Sequence, residues 1–240
     1  MKLTVIGHWG AYPEVGEATS GYLISYENFN LLLDCGSGIL SHIQRFIKIE
    51  DIHAVLLSHY HHDHIADIGP LQYARLTKTQ VGQINDTMPI YGHGDNAAFD
   101  KLTKEPYTKG VSYAADKPLH IGPFTITFFK TAHAVTCYAV KISANDKTIV
   151  YSADTNYFEA LIPFVKGADL FICECSLYAD MDGKSMGHMN STDCGKMARE
   201  ANVGQLLLTH LPHFGDHAQL LVQAKQEYSG IASLASMGWT

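Results

Sequence analysis

The sequence predicts an α/β fold of two stacked sheets with helices outside them, and three observations carry that expectation. Short apolar runs of strand length alternate along the chain with segments of helical spacing, and sheets built this way need helices to cover them. Hydrophobic residues make up 46% of the 240 positions and charged residues 17%, which supports a substantial core and excludes intrinsic disorder. No Pro/Ser-rich or single-charge tract interrupts the chain, so residues 1–240 read as a single domain.

Residues 3–7 (LTVIG) read as the first strand, followed by a Gly-rich loop holding Trp9, Tyr12 and Pro13. YLISY (22–26) and FNLLLD (29–34) form a hairpin about the tight Glu27-Asn28 connection. Gly36 and Gly38 punctuate the chain, and 39–48 has helical spacing. HAVLLSH (53–59) is a short continuous apolar run, as a strand buried on both faces requires. Residues 63–76 read as helix, 88–91 as strand, 94–104 as helix and 105–118 as a connection without a clear period. In the second half, 124–132, 137–143 and 148–154 read as strands, 156–166 as helix and 169–175 as strand. Then come an amphipathic helix at 191–202, a strand at 205–210, a helix at 216–228 and a last strand at 231–235. Two echoes suggest internal duplication. A strand ends in Asp at both LLLDCGS and IVYSADT, and a strand ends in a hydroxyl residue and His at both VLLSHYHHDH and LLLTHLPHFGDH.

Lys plus Arg is 17 and Asp plus Glu is 24, a net charge of −7. Such a chain lacks the basic footprint that grips a long nucleic acid, although a small anionic substrate is compatible with it. The five Cys (35, 137, 173, 175, 194) follow no disulfide framework and read as reduced, buried thiols of a cytoplasmic protein. The first residues carry one Lys and a short apolar stretch ending at Gly7, unlike a secretory leader. No apolar run approaches the roughly 18 residues that span a membrane. The unusual count is 14 His, which raises a metal hypothesis before any motif is read.

The segment His59-Tyr60-His61-His62-Asp63-His64 stands where a strand ends and a helix begins. An extended backbone points His59 and His61 to one side, with Tyr60 and His62 elsewhere. Asp63 and His64 are adjacent, tend to diverge, and suit a second ion beside the first. One hexapeptide cannot complete two coordination shells. The remaining ligand candidates are His133, Asp154 and His210, each at the C-terminal end of a predicted strand.

These pieces resemble the metallo-β-lactamase superfamily: LLLDCGSG, H-x-H-x-D-H at 59–64, TAH at 131–133, SADT at 152–155 and LLLTH at 206–210, in family order. The resemblance implies an αββα four-layer sandwich with a two-metal site at one edge. It also implies that His59, His61 and His133 hold the first ion, that Asp63, His64 and His210 hold the second, and that Asp154 bridges them. Asp34 matches the Asp that orients ligand imidazoles in the family. Many β-lactamases have Cys where this chain has Asp154, which argues against antibiotic hydrolysis. The redox di-iron branch has Glu where this chain has His61, which favours two Zn2+ and hydrolysis, with Mn2+ or Fe as alternatives compatible with the ligands.

Residues 174–210 resemble the ribonuclease Z branch. Glu174 matches its strand-end Glu, and His188 lies 22 residues before His210, as that branch's non-ligand His does. There the His protonates the leaving oxygen, so the resemblance implies catalytic roles for Asp63, His188 and Glu174, with Glu174 holding His188 in the needed tautomer. The tRNA-gripping arm commonly inserted between the third His and the bridging Asp is missing, because His133 and Asp154 are only 21 residues apart. The expected activity is that of a phosphodiesterase for a short nucleotide or cyclic phosphodiester, using a metal-activated water. The alternatives are a lactone or thioester hydrolase, a tRNA 3′-processing endonuclease, and a metal-binding protein without turnover. Family members often pair, which adds a homodimer to the expectations. His8 and His213 read as structural residues near the site, and His42, His53, His93, His120 and His217 as surface or structural. Trp9, Tyr60 and Phe214 read as packing aromatics, with stacking on a substrate ring as the alternative.

Overall fold

The structure is a computed structural model describing residues 1–240. The chain divides into two compact units, Met1–Ala114 with Ile121–Pro123 and Ser236–Thr240, and Ala115–His120 with Phe124–Ala235.

In the first unit the elements run β1 (Lys2–Gly7), β2 (Gly21–Tyr26), β3 (Phe29–Leu33), α1 (Ile39–Ile43), β4 (Ala54–Leu56), α2 (His62–Ile65), α3 (Ile68–Gln80), β5 (Met88–His93) and β6 (Thr108–Tyr113). They form one six-stranded sheet in chain order. β1, β2 and β3 are an antiparallel meander, turned at Glu27-Asn28 with Tyr26 opposite Phe29. β4, β5 and β6 then add in parallel. Leu32, Val55 and Ile90 from the sheet pack with Ile39, Ile43, Ile68 and Leu71 from the helices. Each such fully buried side chain contributes about 1.5–3 kcal/mol. Pro70 lies in the first turn of α3, where a missing N–H leaves no bond unmade.

In the second unit the elements run β7 (Leu119–Ile121), β8 (Phe124–Lys130), β9 (Tyr138–Ala144), β10 (Lys147–Tyr151), α4 (Ile162–Val165), β11 (Leu170–Glu174), α5 (Gly183–Met186), α6 (Ser191–Glu200), β12 (Gln205–Thr209), α7 (His217–Glu227) and β13 (Ile231–Leu234). Its seven-stranded sheet has the order β13-β12-β11-β10-β9-β8-β7. An antiparallel run through β8, β9 and β10 is again followed by parallel strands. The cluster on this sheet contains Cys194, Met197, Ala198 and Ala201, the one-sided spacing of a packed helix. Asn190 starts α6 by accepting the Asp193 N–H, and Asp216 starts α7 by accepting the Ala218 N–H. All five cysteines are free thiols with no exposed surface.

Several elements depart from the sequence reading. Of the helix expected over 39–48 only α1 forms, and 94–104 holds a 3-10 turn at Ala97–Leu102. The 156–166 helix is a 3-10 turn followed by the short α4. The structureless 105–118 contains β6, whose half-exposed TKGVSY lacks an apolar alternation because it lies at the sheet edge. The two strand-end echoes also fall at unequal places. If β3 and β10 correspond, β4 corresponds to β11, whereas the second hydroxyl-His strand is β12.

Candidate functional site

In the first unit the site grows from the ends of β3 and β4. β3 leads into Asp34, fully buried and with φ of 58°, a left-handed turn that Asp tolerates better than most residues. One carboxylate oxygen accepts the Ser58 N–H at 2.8 Å. The other accepts the Ser58 hydroxyl and His64 Nδ1, both at 2.8 Å. The Ser58 oxygen lies 3.1 Å from His59 Nδ1. The rings of His59 and His61 are 4.8 Å apart and those of His59 and His64 4.1 Å.

Asp63 and His64 converge rather than diverge, with Asp63 Oδ2 3.6 Å from His64 Nε2. Both lie in α2, which the chain enters from His61, and the His64 N–H bonds the His61 carbonyl. The loop after β1 closes over this turn, its Ala11 N–H donating to Asp63 Oδ2 at 2.9 Å. The loop after β3 and the start of α1 clamp it from another side, through Cys35 N–H to His64 O and Leu40 N–H to Asp67. Burial pushes the Asp67 carboxyl above its ordinary range against that Leu40 bond, and it pushes the Cys35 thiol well up.

Tyr60 and His62 stand apart from this group. Tyr60 is buried with its hydroxyl on the His93 carbonyl at 2.7 Å, while His62 is exposed. Tyr60 is therefore a packing residue, and burial raises its phenol above its ordinary value. His8 is buried beside Trp9, with 5.5 Å between ring centroids.

In the second unit the donors come from the loop after β8 and the ends of β10, β11 and β12. Asp154 is buried, follows a left-handed Ala153, and has its carbonyl bonded by Thr131 Oγ1. His133 places Nε2 3.7 Å from Asp154 Oδ2 and donates from Nδ1 to the Gly187 carbonyl at 3.0 Å. His210, left-handed at φ 54°, places Nε2 3.6 Å from Asp154 Oδ1.

Glu174 is fully buried at the end of β11. Its Oε1 accepts the Thr155 N–H at 2.8 Å and His188 Nδ1 at 2.9 Å. Its Oε2 accepts the Ser176 hydroxyl at 2.9 Å, and Ser176 Oγ lies 2.8 Å from His210 Nδ1. The His188 ring stacks on His210 at 5.4 Å and meets His133 edge-on at 5.2 Å. Asp154, His188 and His210 each present one donor atom within 4.8 Å of the others. Phe214 is half-exposed beside Tyr178, over a cleft of about 500 Å³.

This geometry fits divalent ions. Nitrogen–oxygen separations of 3.6–3.7 Å are too long for hydrogen bonds. They are near the ~3.3 Å expected of two atoms that share a tetrahedral ion at about 2.0–2.1 Å. The Nδ1 atoms of His59, His64, His133 and His210 each face a hydroxyl, a carboxylate or a carbonyl oxygen. Fixing one ring nitrogen in this way presents the other to a metal.

Sequence reading singled out neither serine nor the Gly187 carbonyl. Ser58 immediately precedes His59, and Ser176 follows Glu174 by two positions, but nothing in the sequence places Ser58 against Asp34, 24 residues away.

Comparison with known proteins adds five findings. Residues 29–211 match the family model described as "Beta-lactamase superfamily domain". The chain is 53% identical over 240 residues to the "Probable metallo-hydrolase YhfI" of Bacillus subtilis, covering 100% of this chain and 98% of the relative. The crystal structure of YhfI, described as a metallo-beta-lactamase fold protein, superposes with a TM-score of 0.97 at 52% identity, over 99% and 97% of the two chains. The short form of human tRNase Z superposes at 0.75 with 18% identity, over 100% and 98%. A diphosphatase of the PhnP family also superposes at 0.75, with 16% identity over 99% and 95%, and these last two likenesses concern the fold. The fold class expected from the sequence is the one these proteins share.

Proposed function

The chain belongs to the β-lactamase superfamily and is a metal-dependent hydrolase of the metallo-β-lactamase fold, and on that premise we propose that it is a phosphodiesterase acting on a short nucleotide or cyclic phosphodiester. The observation that carries the reading is the buried Glu174 carboxylate 2.9 Å from His188 Nδ1. We assign His59, His61 and His133 to one Zn2+, Asp63, His64 and His210 to a second, and Asp154 to both, with residues 1–240 acting as one domain. Two such ions, when bound, supply water acidified to near neutral pH and neutralise charge growing on a phosphoryl oxygen.

The protein's own groups do the rest. Asp63 orients the attacking water and takes its proton. His188 acts as an imidazolium: Glu174 accepts its Nδ1–H and balances its charge, and its Nε2–H faces the substrate and protonates the departing alkoxide, leaving the ring neutral with the proton on Nδ1. A lactone or thioester would have less need of such a donor. The span from His133 to Asp154 is filled by β9 and β10, and the chain is acidic, both of which favour a short substrate over tRNA.

The test is His188→Ala, assayed on a chromogenic phosphodiester beside a lactone and a thioester. We expect phosphodiester turnover to fall about 10²–10⁴-fold with metal content unchanged. Zinc lost in step with activity would make His188 a ligand. Preferred turnover of the lactone or thioester by the wild type would replace the phosphodiesterase reading.

A further inference from the structure

We infer that Ser176 is a positioning residue through which one buried carboxylate, Glu174, holds the Nδ1–H of two imidazoles at once: His188 directly and His210 through the serine hydroxyl. A hydroxyl has one proton to give and two lone pairs. Ser176 Oγ lies 2.9 Å from Glu174 Oε2, 3.1 Å from the His210 carbonyl and 2.8 Å from His210 Nδ1. The carboxylate is the stronger acceptor of the first two and is fully buried, where a lost donor is costly. The serine proton therefore goes to Glu174, and the oxygen lone pairs face His210 Nδ1. That nitrogen must then carry its own proton, and the lone pair of His210 stays on Nε2, the atom 3.6 Å from Asp154 Oδ1.

The first unit is wired in the same way. There Asp34 takes His64 Nδ1 directly and the Ser58 hydroxyl at 2.8 Å, and Ser58 in turn faces His59 Nδ1. The two arrangements are built from different strand positions. Ser58 follows β4, next to the strand that carries Asp34, whereas Glu174 and Ser176 both come from the end of β11. The shared wiring thus follows from the chemistry of orienting imidazoles and not from strand register.

The inference rests on the reading of His210 as a metal ligand, and the test separates the two. Full-length wild type, Ser176→Ala, Ser176→Gly and Ser176→Thr are compared in two measurements. One is zinc affinity by competition with a chromophoric chelator. The other is the long-range ¹H–¹⁵N spectrum of the metal-free imidazoles, which reports which nitrogen carries the proton. We expect the Ala and Gly variants to bind zinc about 10–100-fold more weakly. His210 should change from a pure Nδ1–H form to a mixture, and Thr should restore both properties. An unchanged His210 tautomer in both Ala and Gly variants overturns the inference, as does a Thr variant that fails as Ala does. A wild type that takes up no zinc would refute the ligand assignment, and the tautomer signal would still decide the role of Ser176.

Discussion

At Gly36 a single absent methyl group sets the geometry of the acidic turn. A Cβ there would stand 2.0 Å from the Asp63 carbonyl and 2.2 Å from Thr19 Oγ1. Backbone lies on one side and a fully buried side chain on the other, so neither can give way cheaply. Gly36→Ala should therefore displace Asp63 and His64, lowering stability by about 1–3 kcal/mol and reducing zinc capacity, read by denaturant midpoint and metal analysis. Wild-type metal content in that variant would show that the turn has slack. The glycine was visible in the sequence as punctuation, but its close neighbour 27 residues away was not. The same holds for Ser58 and Ser176. The histidines and carboxylates announce themselves by type and spacing, whereas a serine is common, and only the fold shows which one lies against a buried carboxylate.

Among elements, α3 carries a second non-local tie. Arg75 is fully buried, and its guanidinium donates to the Tyr107 and Asp86 carbonyls and to the Asp86 carboxylate. It pins both ends of the segment holding β5 to the helix. Arg75→Ala should cost on the order of 3 kcal/mol, measured by denaturant unfolding, because it leaves a void and strips those carbonyls of a charged donor. A cost under about 0.5 kcal/mol would mean that water replaces the ties.

A weaker tie joins the starts of β10 and β11. Lys147 Nζ lies 2.9 Å from Asp169, whose other oxygen accepts the Thr148 N–H. The Lys147 bond first, then the Thr148 N–H, holds the Asp169 carboxyl below its ordinary value. A carboxyl lower in the folded state than in the unfolded one stabilises the fold above the unfolded pKa. That contribution disappears as pH falls through the folded value. Being exposed and screened by solvent, the pair contributes little. Asp169→Asn should thus lower the melting temperature slightly at neutral pH and match wild type in strong acid. Strand existence was legible here because β10 and β11 each carry an unbroken apolar run of strand length. The short helices were not, since one or two turns of 3-10 geometry carry the same apolar spacing as α-helix, and edge strand β6 lacks the burial that writes a period into a sequence.

For the molecule as a whole, the fold class was readable because meander and parallel strands recur in both halves, and the strands that the hydrophobic pattern conceals, β6 and β7, lie at sheet edges. An ion held by the native state and not by the unfolded chain adds stability by mass action, about 2.7 kcal/mol at 100 times its dissociation constant. A chelator should accordingly lower the melting temperature by several degrees, with recovery on adding zinc, and an indifferent melting curve would contradict the assigned ligands. No helix is long and apolar enough to cross a membrane.

The five enclosed cysteines have a practical consequence. Burial and neighbouring acidic groups push the Cys35 thiol well up, and burial pushes Cys194 well up and raises Cys173. A soft cation offered to the native protein thus meets protonated sulfur that it cannot reach. Stoichiometry measured by mass spectrometry or atomic absorption would then report imidazole and carboxylate alone, and preparations should keep their ion count in air without added reductant.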